Sequence, residues 1–234
     1  MSIFKLIAIF ILVMIVLYNI VIVKQNNTQQ TIPKIILQTS KNKPEQYVID
    51  KIKRYSPGWE YIHFVDSEII NYFKNHPIKG VENIIDKFNR IKNGAHKADL
   101  FRYYFLYLNG GVFIDQDATL NADINDIAND CDFFSVNSIF DGTIFQGFIG
   151  ATSYNHIIYK ALIDAYHIDI ETLEKDYLVL TRNMYTFIKE EEGNYTIKLF
   201  YEKHTGNEIY DTYDENGRVI LKHYSLTKTI PNDV

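Results

Sequence analysis

The run Asp99-Leu-Phe-Arg-Tyr-Tyr-Phe-Leu-Tyr-Leu-Asn-Gly-Gly-Val-Phe-Ile-Asp-Gln-Asp117 constrains the fold more than any other part of the chain. Between Ala95 and Leu108 it is rich in Leu, Phe and Tyr, as a packed helix is. Asn109-Gly110-Gly111 then supplies residues that tolerate a left-handed cap and a tight turn. Val112-Phe113-Ile114 follows as a brief buried strand, so the order is helix, glycine turn, strand, acids. Side chains two apart on a strand share a face, so Asp115 and Asp117 both approach whatever lies beyond the sheet edge, and such a pair calls for a cation. Asp99 and Arg102, three apart, share one face of the preceding helix. Arg102 suits phosphate oxygens, or Asp99 itself. An enzyme is the leading reading.

With 234 residues the chain fits one globular domain plus a tail. Ile, Tyr, Phe, Asn and Lys are abundant while Gly and Pro are scarce, which describes a packed fold with polar loops. The net charge is −5 and the sequence carries no basic stripe with interleaved aromatics, which argues against nucleic acid as a partner. Cys131 is the only cysteine, so neither an intramolecular disulfide nor a thiol metal cluster can form. Its place at the head of a core strand suits a buried structural thiol.

Ile3 to Val23 is almost wholly apolar and, as a helix rising about 1.5 Å per residue, would span roughly 30 Å. A small-x-small cleavage site is not evident after it. Residues 1–24 are therefore expected to be an uncleaved signal-anchor, 25–31 a short polar stem, and 32–234 the catalytic domain. That arrangement implies a single-pass membrane protein with a cytoplasmic N-terminus. The catalytic domain would be lumenal, as in Golgi or ER, or associated with a viral or bacterial membrane. Asn26-Asn27-Thr28 and Asn194-Tyr195-Thr196 fit the N-glycosylation pattern and matter only if that side is lumenal.

Ile32 to Thr39 reads as a buried first strand ending in polar residues, Pro44 to Tyr55 as an amphipathic helix, and Trp59 to Val65 as a second strand. Short helices are expected at Ile69–Phe73 and Val81–Phe88. Downstream, Asp123 to Asn129 looks helical and Cys131 to Val136 a strand. Thr143 to Ala151 reads as a glycine-interrupted strand, Tyr154 to Tyr166 and Tyr177 to Glu190 as helices. Thr196–Phe200 and Arg218–Leu221 form a hairpin-like end around a turn-rich Asp211 to Gly217. Alternating strands and helices with such an end make an α/β sheet of mixed direction the natural class.

Taken together, Ile32-Pro-Lys-Ile-Ile-Leu-Gln-Thr39 and Lys97-Ala-Asp-Leu-Phe-Arg through Asp115-Gln-Asp117 resemble the DXD-containing sugar transferases. These are glycosyltransferase family 32, related to yeast initiating mannosyltransferases and to bacterial and toxin glycosyltransferases. The resemblance implies a GT-A type fold, a mixed central sheet flanked by helices, here preceded by the transmembrane helix. It implies metal-dependent, anomer-retaining transfer of a sugar from a UDP- or GDP-sugar to a glycan, glycoprotein or glycolipid acceptor, with Mn²⁺ or Mg²⁺. Asp99 and Arg102 stand where that family binds the donor sugar and its phosphates. Asp115 contacts donor ribose or sugar and helps place the metal, and Asp117 is its more direct ligand. Gln38 and Thr39 lie beside the nucleobase. His223 is the candidate for the histidine that completes the metal environment, with His204 as the competing choice. Asn137, Asp141 and Gln146 are polar candidates on the acceptor side. The chain departs from the family with Leu37 in place of a histidine, Ser40 in place of a tryptophan, and Thr181-Arg182-Asn183 in place of Thr-Gly-Pro. A departing nucleoside diphosphate accumulates negative charge that a divalent ion and Arg102 would stabilise. Two other readings compete: a metal-dependent phosphotransferase or phosphohydrolase, and a non-catalytic membrane-tethered sugar-binding protein.

Overall fold

In the computed structural model, which describes residues 31–205 and 210–223, the β-branched run after Pro33 forms β1 (Ile35–Thr39). It pairs in parallel with β2 (Glu60–Phe64) on one side and β3 (Gly111–Ile114) on the other. Parallel neighbours need crossovers. α1 (Gln46–Arg54) supplies the first, and α2 (Asp66–Asn75), α3 (Ile84–Arg90) and α4 (Gly94–Asn109) the second. In α1, Val48, Ile49 and Ile52 form the buried stripe, and Lys51, Lys53 and Arg54 sit in the last turn, where cations complement the helix dipole.

Beyond β3 come β4 (Ala118–Leu120), α5 (Ile124–Ala128), β5 (Phe133–Asn137) and β6 (Ile144–Ala151). The helices α6 (His156–His167), α7 (Ile170–Lys175) and α8 (Val179–Glu190) then precede β7 (Ile197–His204), β8 (Tyr210–Tyr213) and β9 (Val219–His223). Polar side chains start several of these helices where the sequence offers them: Asn93, Asp123, Asn155 and Asp169 each accept a backbone N–H of the first turn.

The described strands join one nine-stranded mixed sheet in the order β2-β1-β3-β6-β5-β7-β8-β9-β4. This order forces a curl. β3 and β4 stand third and ninth, which in a flat sheet means about 4.8 Å per step and roughly 29 Å in all. The link from Ile114 to Ala118 reaches only about 14 Å. The far edge of the sheet must bend back to its middle, and Asp115-Gln116-Asp117 occupies the junction.

β3 is fully buried. Phe113 packs into a core with Leu37, Phe101, Ile149 and Leu162, while Val112 and Ile114 face another containing Ile36, Phe134, Phe148 and Leu221. Burial on both faces is why the strand is uninterruptedly apolar. The glycines before it are required twice over. Gly110 and Gly111 have φ of +66° and +103°, and a β-carbon on either would sit 2.7 Å from a neighbour, Ser153 N or Ile35 O respectively. Cys131 is buried just ahead of β5, and burial lifts its thiol to about 11.

Several expectations are corrected. Ala118–Leu120 and Tyr210–Tyr213 are strands, and α7 is a separate helix; the pairings that create these strands are with β9 and β7, distant in sequence. The expected transmembrane helix finds no support. Among the described residues no helix is long and apolar enough to cross a membrane. The longest, α4, has 16 residues, reaches roughly 24 Å against a hydrocarbon core of about 30 Å, and carries Asp99 and Arg102. The Ile3–Val23 run lies outside the described residues. Anchoring through the signal-anchor, the membrane as partner, and the single-pass lumenal topology have no spanning helix behind them among the described residues.

Behind the core, Glu191 ties α6 to the end of α8: His156 Nδ1 lies 2.8 Å and Lys160 Nζ 2.6 Å from its Oε1, and Asn194 donates to Oε2 at 3.0 Å. Lys160, Asn194 and His156 hold this carboxyl down at about 2. The unfolded carboxyl titrates near ~4.3. Its contribution to stability is therefore complete above that value and is lost as pH falls toward 2. Thermal melts between pH 7 and 3 are expected to show less acid destabilisation in Glu191→Gln than in the parent over the lower part of that range.

Candidate active site at the β3–β4 junction

Asp115 is fixed through its backbone before its side chain does anything. Its N–H donates to Gly147 O at 2.8 Å, and its carbonyl accepts from Gln38 Nε2 at 2.9 Å. Gln38 Oε1 in turn accepts from Tyr61 Oη at 2.8 Å. β6, β1 and β2 thus converge on one residue. Gly147 is required here because a β-carbon would overlap both Asp115 Oδ2 and the Phe145 ring.

The side-chain cluster is built from α4. Arg102 is 3% exposed and stacks on Phe113, its Cζ 4.0 Å from the ring centroid. Its Nη2 lies 3.2 Å from Asp115 Oδ1 and 3.4 Å from Asp99 Oδ1, and its Nη1 donates to the Gln146 carbonyl. Tyr103, fully buried, donates to Gln146 Oε1. One turn before Asp99, His96 places Nδ1 3.3 Å from Asp99 Oδ2. Burial raises the Asp115 pKa, Arg102 opposes that, Asp117 and Asp99 raise it further, and His223 lowers it. Two carboxylates share one guanidinium and Asp117 adds a third negative charge near Asp115, so the pocket is short of positive charge.

Among the described residues, buried side-chain atoms without a hydrogen-bond partner include Thr39 Oγ1, His96 Nε2, Arg102 Nε, Gln146 Nε2 and His223 Nε2. These five belong to this cluster or to strand ends that adjoin it, and a sixth, Thr212 Oγ1, lies within β8. Each such atom costs about 1–3 kcal/mol unless something completes it.

Asp99, Arg102, Asp115 and Asp117 come together. His223 ends β9, opposite Ala118 in the β4 ladder, with its ring 4.7 Å from that of Phe145. Thr39 ends β1 with its hydroxyl unpartnered, whereas the Gln38 amide is occupied at both ends by Tyr61 and Asp115. Gln146 is part of the Arg102 network, Asn137 ends β5 and is half-buried, and Asp141 is exposed on the β5–β6 turn. His204 is exposed at the end of β7, its ring against Tyr210. Leu37 fills the core between Ile62 and Phe113 in register. Ser40 Oγ lies 2.6 Å from His63 Nε2. His96, Tyr103 and Gly147 are absent from the sequence-based set. His96 was legible as the residue three before Asp99 on the same helix face.

One further correction concerns manganese. Among the described residues no group of three or more His, Cys, Asp and Glu is gathered closely enough to hold a metal ion. A ready-made manganese centre is therefore absent there.

A mixed, curled sheet flanked by helices, with paired aspartates at a buried strand end, is the GT-A-like arrangement. Residues 42–134 match the family model described as glycosyltransferase sugar-binding region containing DXD motif. That span includes Asp99, Arg102, Asp115 and Asp117, and leaves Gln38, Thr39 and His223 outside. No curated protein matches the chain. Of solved structures, PaToxG Glycosyltransferase is similar at 15% identity, covering 69% of this chain and 70% of that chain with a TM-score of 0.50. This is a likeness of fold. A structure described as "Crystal Structure of A197 from STIV" covers 86% of this chain and 100% of that one at 11% identity, with a TM-score of 0.33 that carries no weight for the fold.

Proposed function

We propose that the protein is a glycosyltransferase that moves a sugar from a nucleotide-diphosphate donor to a hydroxyl acceptor with retention of anomeric configuration. The observation that carries this reading is the cluster of Arg102 between Asp99 and Asp115, beside Asp117, with buried polar atoms left unpartnered around it. The match over residues 42–134 supports the same reading.

Divalent-cation dependence follows from the charge balance. Asp117 and Asp115 would hold the ion with water completing its shell, since among the described residues no third acid or histidine is gathered with them. Bound there, the cation would supply charge stabilisation to the diphosphate. The chain's own residues do the rest. Arg102 is held flat by Phe113 and the Gln146 carbonyl, so its position is set before a ligand arrives. Asp99, oriented by Arg102 and His96, is an acceptor for donor-sugar hydroxyls. Thr39 lies on the nucleobase side. Gln38 serves there by fixing Asp115 through its amide.

The test incubates the full chain with UDP- and GDP-sugars and Mg²⁺, with and without EDTA, and follows donor consumption by chromatography and product anomer by proton NMR. Cation-dependent release of a nucleoside diphosphate together with sugar transfer, or sugar hydrolysis when no acceptor is supplied, is expected. Release of inorganic phosphate with the glycosyl bond intact would favour a phosphohydrolase and overturn the reading.

A further inference from the structure

Tyr177 is 60% exposed, one of several exposed large aromatic side chains on the described unit. It stands on the tight turn between α7 and α8, and the turn is pinned from both sides. Asp176 N–H donates to Thr172 O at 2.9 Å, Leu178 N–H donates to Asp176 Oδ1 at 3.2 Å, and Arg182 pairs with the same carboxylate. Leu173 and Leu180, each 3% exposed, anchor the flanking helices in the core. The turn presents its tyrosine from a rigid base.

That tyrosine faces the site. Its ring centroid lies 5.5 Å from that of His96, inclined at 45°. His96 is 2% exposed, touches Asp99, and leaves its buried Nε2 without a partner. The phenol lies within electrostatic reach of Asp99, Asp115, Arg102 and Asp117. Desolvation first, then Asp99, Asp115 and Asp117, raises its pKa, so the hydroxyl stays protonated as a donor at neutral pH. No hydrogen bond within the described residues occupies that hydroxyl. An aromatic face with a free O–H, held rigidly beside carboxylates, is the chemistry that grips a pyranose: the ring packs on its C–H face while the polar groups take its hydroxyls.

We propose that Tyr177 is a sugar-contacting residue of this site, its ring forming a wall against the glycosyl group of the bound donor and its hydroxyl bonding a sugar hydroxyl. The inference rests on the nucleotide-sugar reading above and adds a specificity determinant that lies outside the matched region.

The test is calorimetric binding of UDP-glucose, GDP-mannose, UDP and GDP to the full chain in Mg²⁺, for the parent, Tyr177→Phe and Tyr177→Ala. Melting curves check that the variants are folded. For whichever nucleotide sugar the parent binds, Tyr177→Ala is expected to weaken affinity about tenfold or more while leaving the matching nucleoside diphosphate within about twofold. Tyr177→Phe should fall between, because it keeps the ring. If Tyr177→Ala binds the nucleotide sugar as tightly as the parent, or weakens sugar and diphosphate ligands equally, the inference fails while the donor reading stands. Failure of the parent to bind any of the four ligands overturns the donor reading and this inference with it.

Discussion

Asp117→Ala is expected to abolish sugar transfer while leaving the protein folded, with a drop in kcat/KM of roughly 10³-fold or more, about 4 kcal/mol in the transition state. Asp117 is only partly buried, and among the described residues no hydrogen bond or ion pair holds it. Its electrostatic effect on Asp115 is repulsive, so removing it relieves a like-charge contact. The melting temperature should therefore move by no more than a few degrees. The measurement pairs a transfer assay with a thermal melt on the same preparation. Unchanged transfer by folded Asp117→Ala protein would remove the cation-holding role assigned here.

Arg102→Ala is expected to damage stability and activity together. The guanidinium is almost fully buried and serves Asp99, Asp115, the Gln146 carbonyl and the Phe113 face at once. Deleting one partner of a buried charge cluster leaves the others uncompensated, at about 3–5 kcal/mol. For a chain of this size that lowers the melting temperature on the order of 10 °C. Arg102→Lys separates the two effects. A lysine keeps the charge and should recover part of the stability, but a point-like ammonium cannot make the planar fork or stack in the same way. Transfer should remain low in Arg102→Lys even where the melt is largely restored. A lysine variant with parental activity would show that charge alone suffices at this position.

The parts of the site legible in the sequence are those encoded locally. Asp99 and Arg102 share a helix face through their spacing, and Gly110-Gly111 announces the turn that delivers Val112–Ile114 and the two aspartates. The rest depends on partners that sequence order hides. Ala118–Leu120 is too short to show a strand period, and becomes one only because β9 lies against it. The amide of Gln38 looks available at a strand end, yet Tyr61 and Asp115 consume it, and neither contact has a local signature. Gly147 reads as an interruption in a strand, and its need is visible only when the Asp115 carboxylate is placed above it. The apolar N-terminal run lies outside the described residues, among which no helix is long and apolar enough to cross a membrane.

The curl of the sheet also sets an order of assembly. Ala118 meets His223 only after the chain has passed through β5, β6, four helices and the β7–β8–β9 meander. Closing that ladder is the most non-local pairing in the sheet, and contacts of this kind form late because a long loop must be closed before they repay its entropy. A partly synthesised or partly folded chain can hold the Asp99–Arg102–Asp115 cluster on α4 and β3 while lacking the His223 side of the pocket. A kinetic probe on His223 would report when the β4–β9 ladder closes.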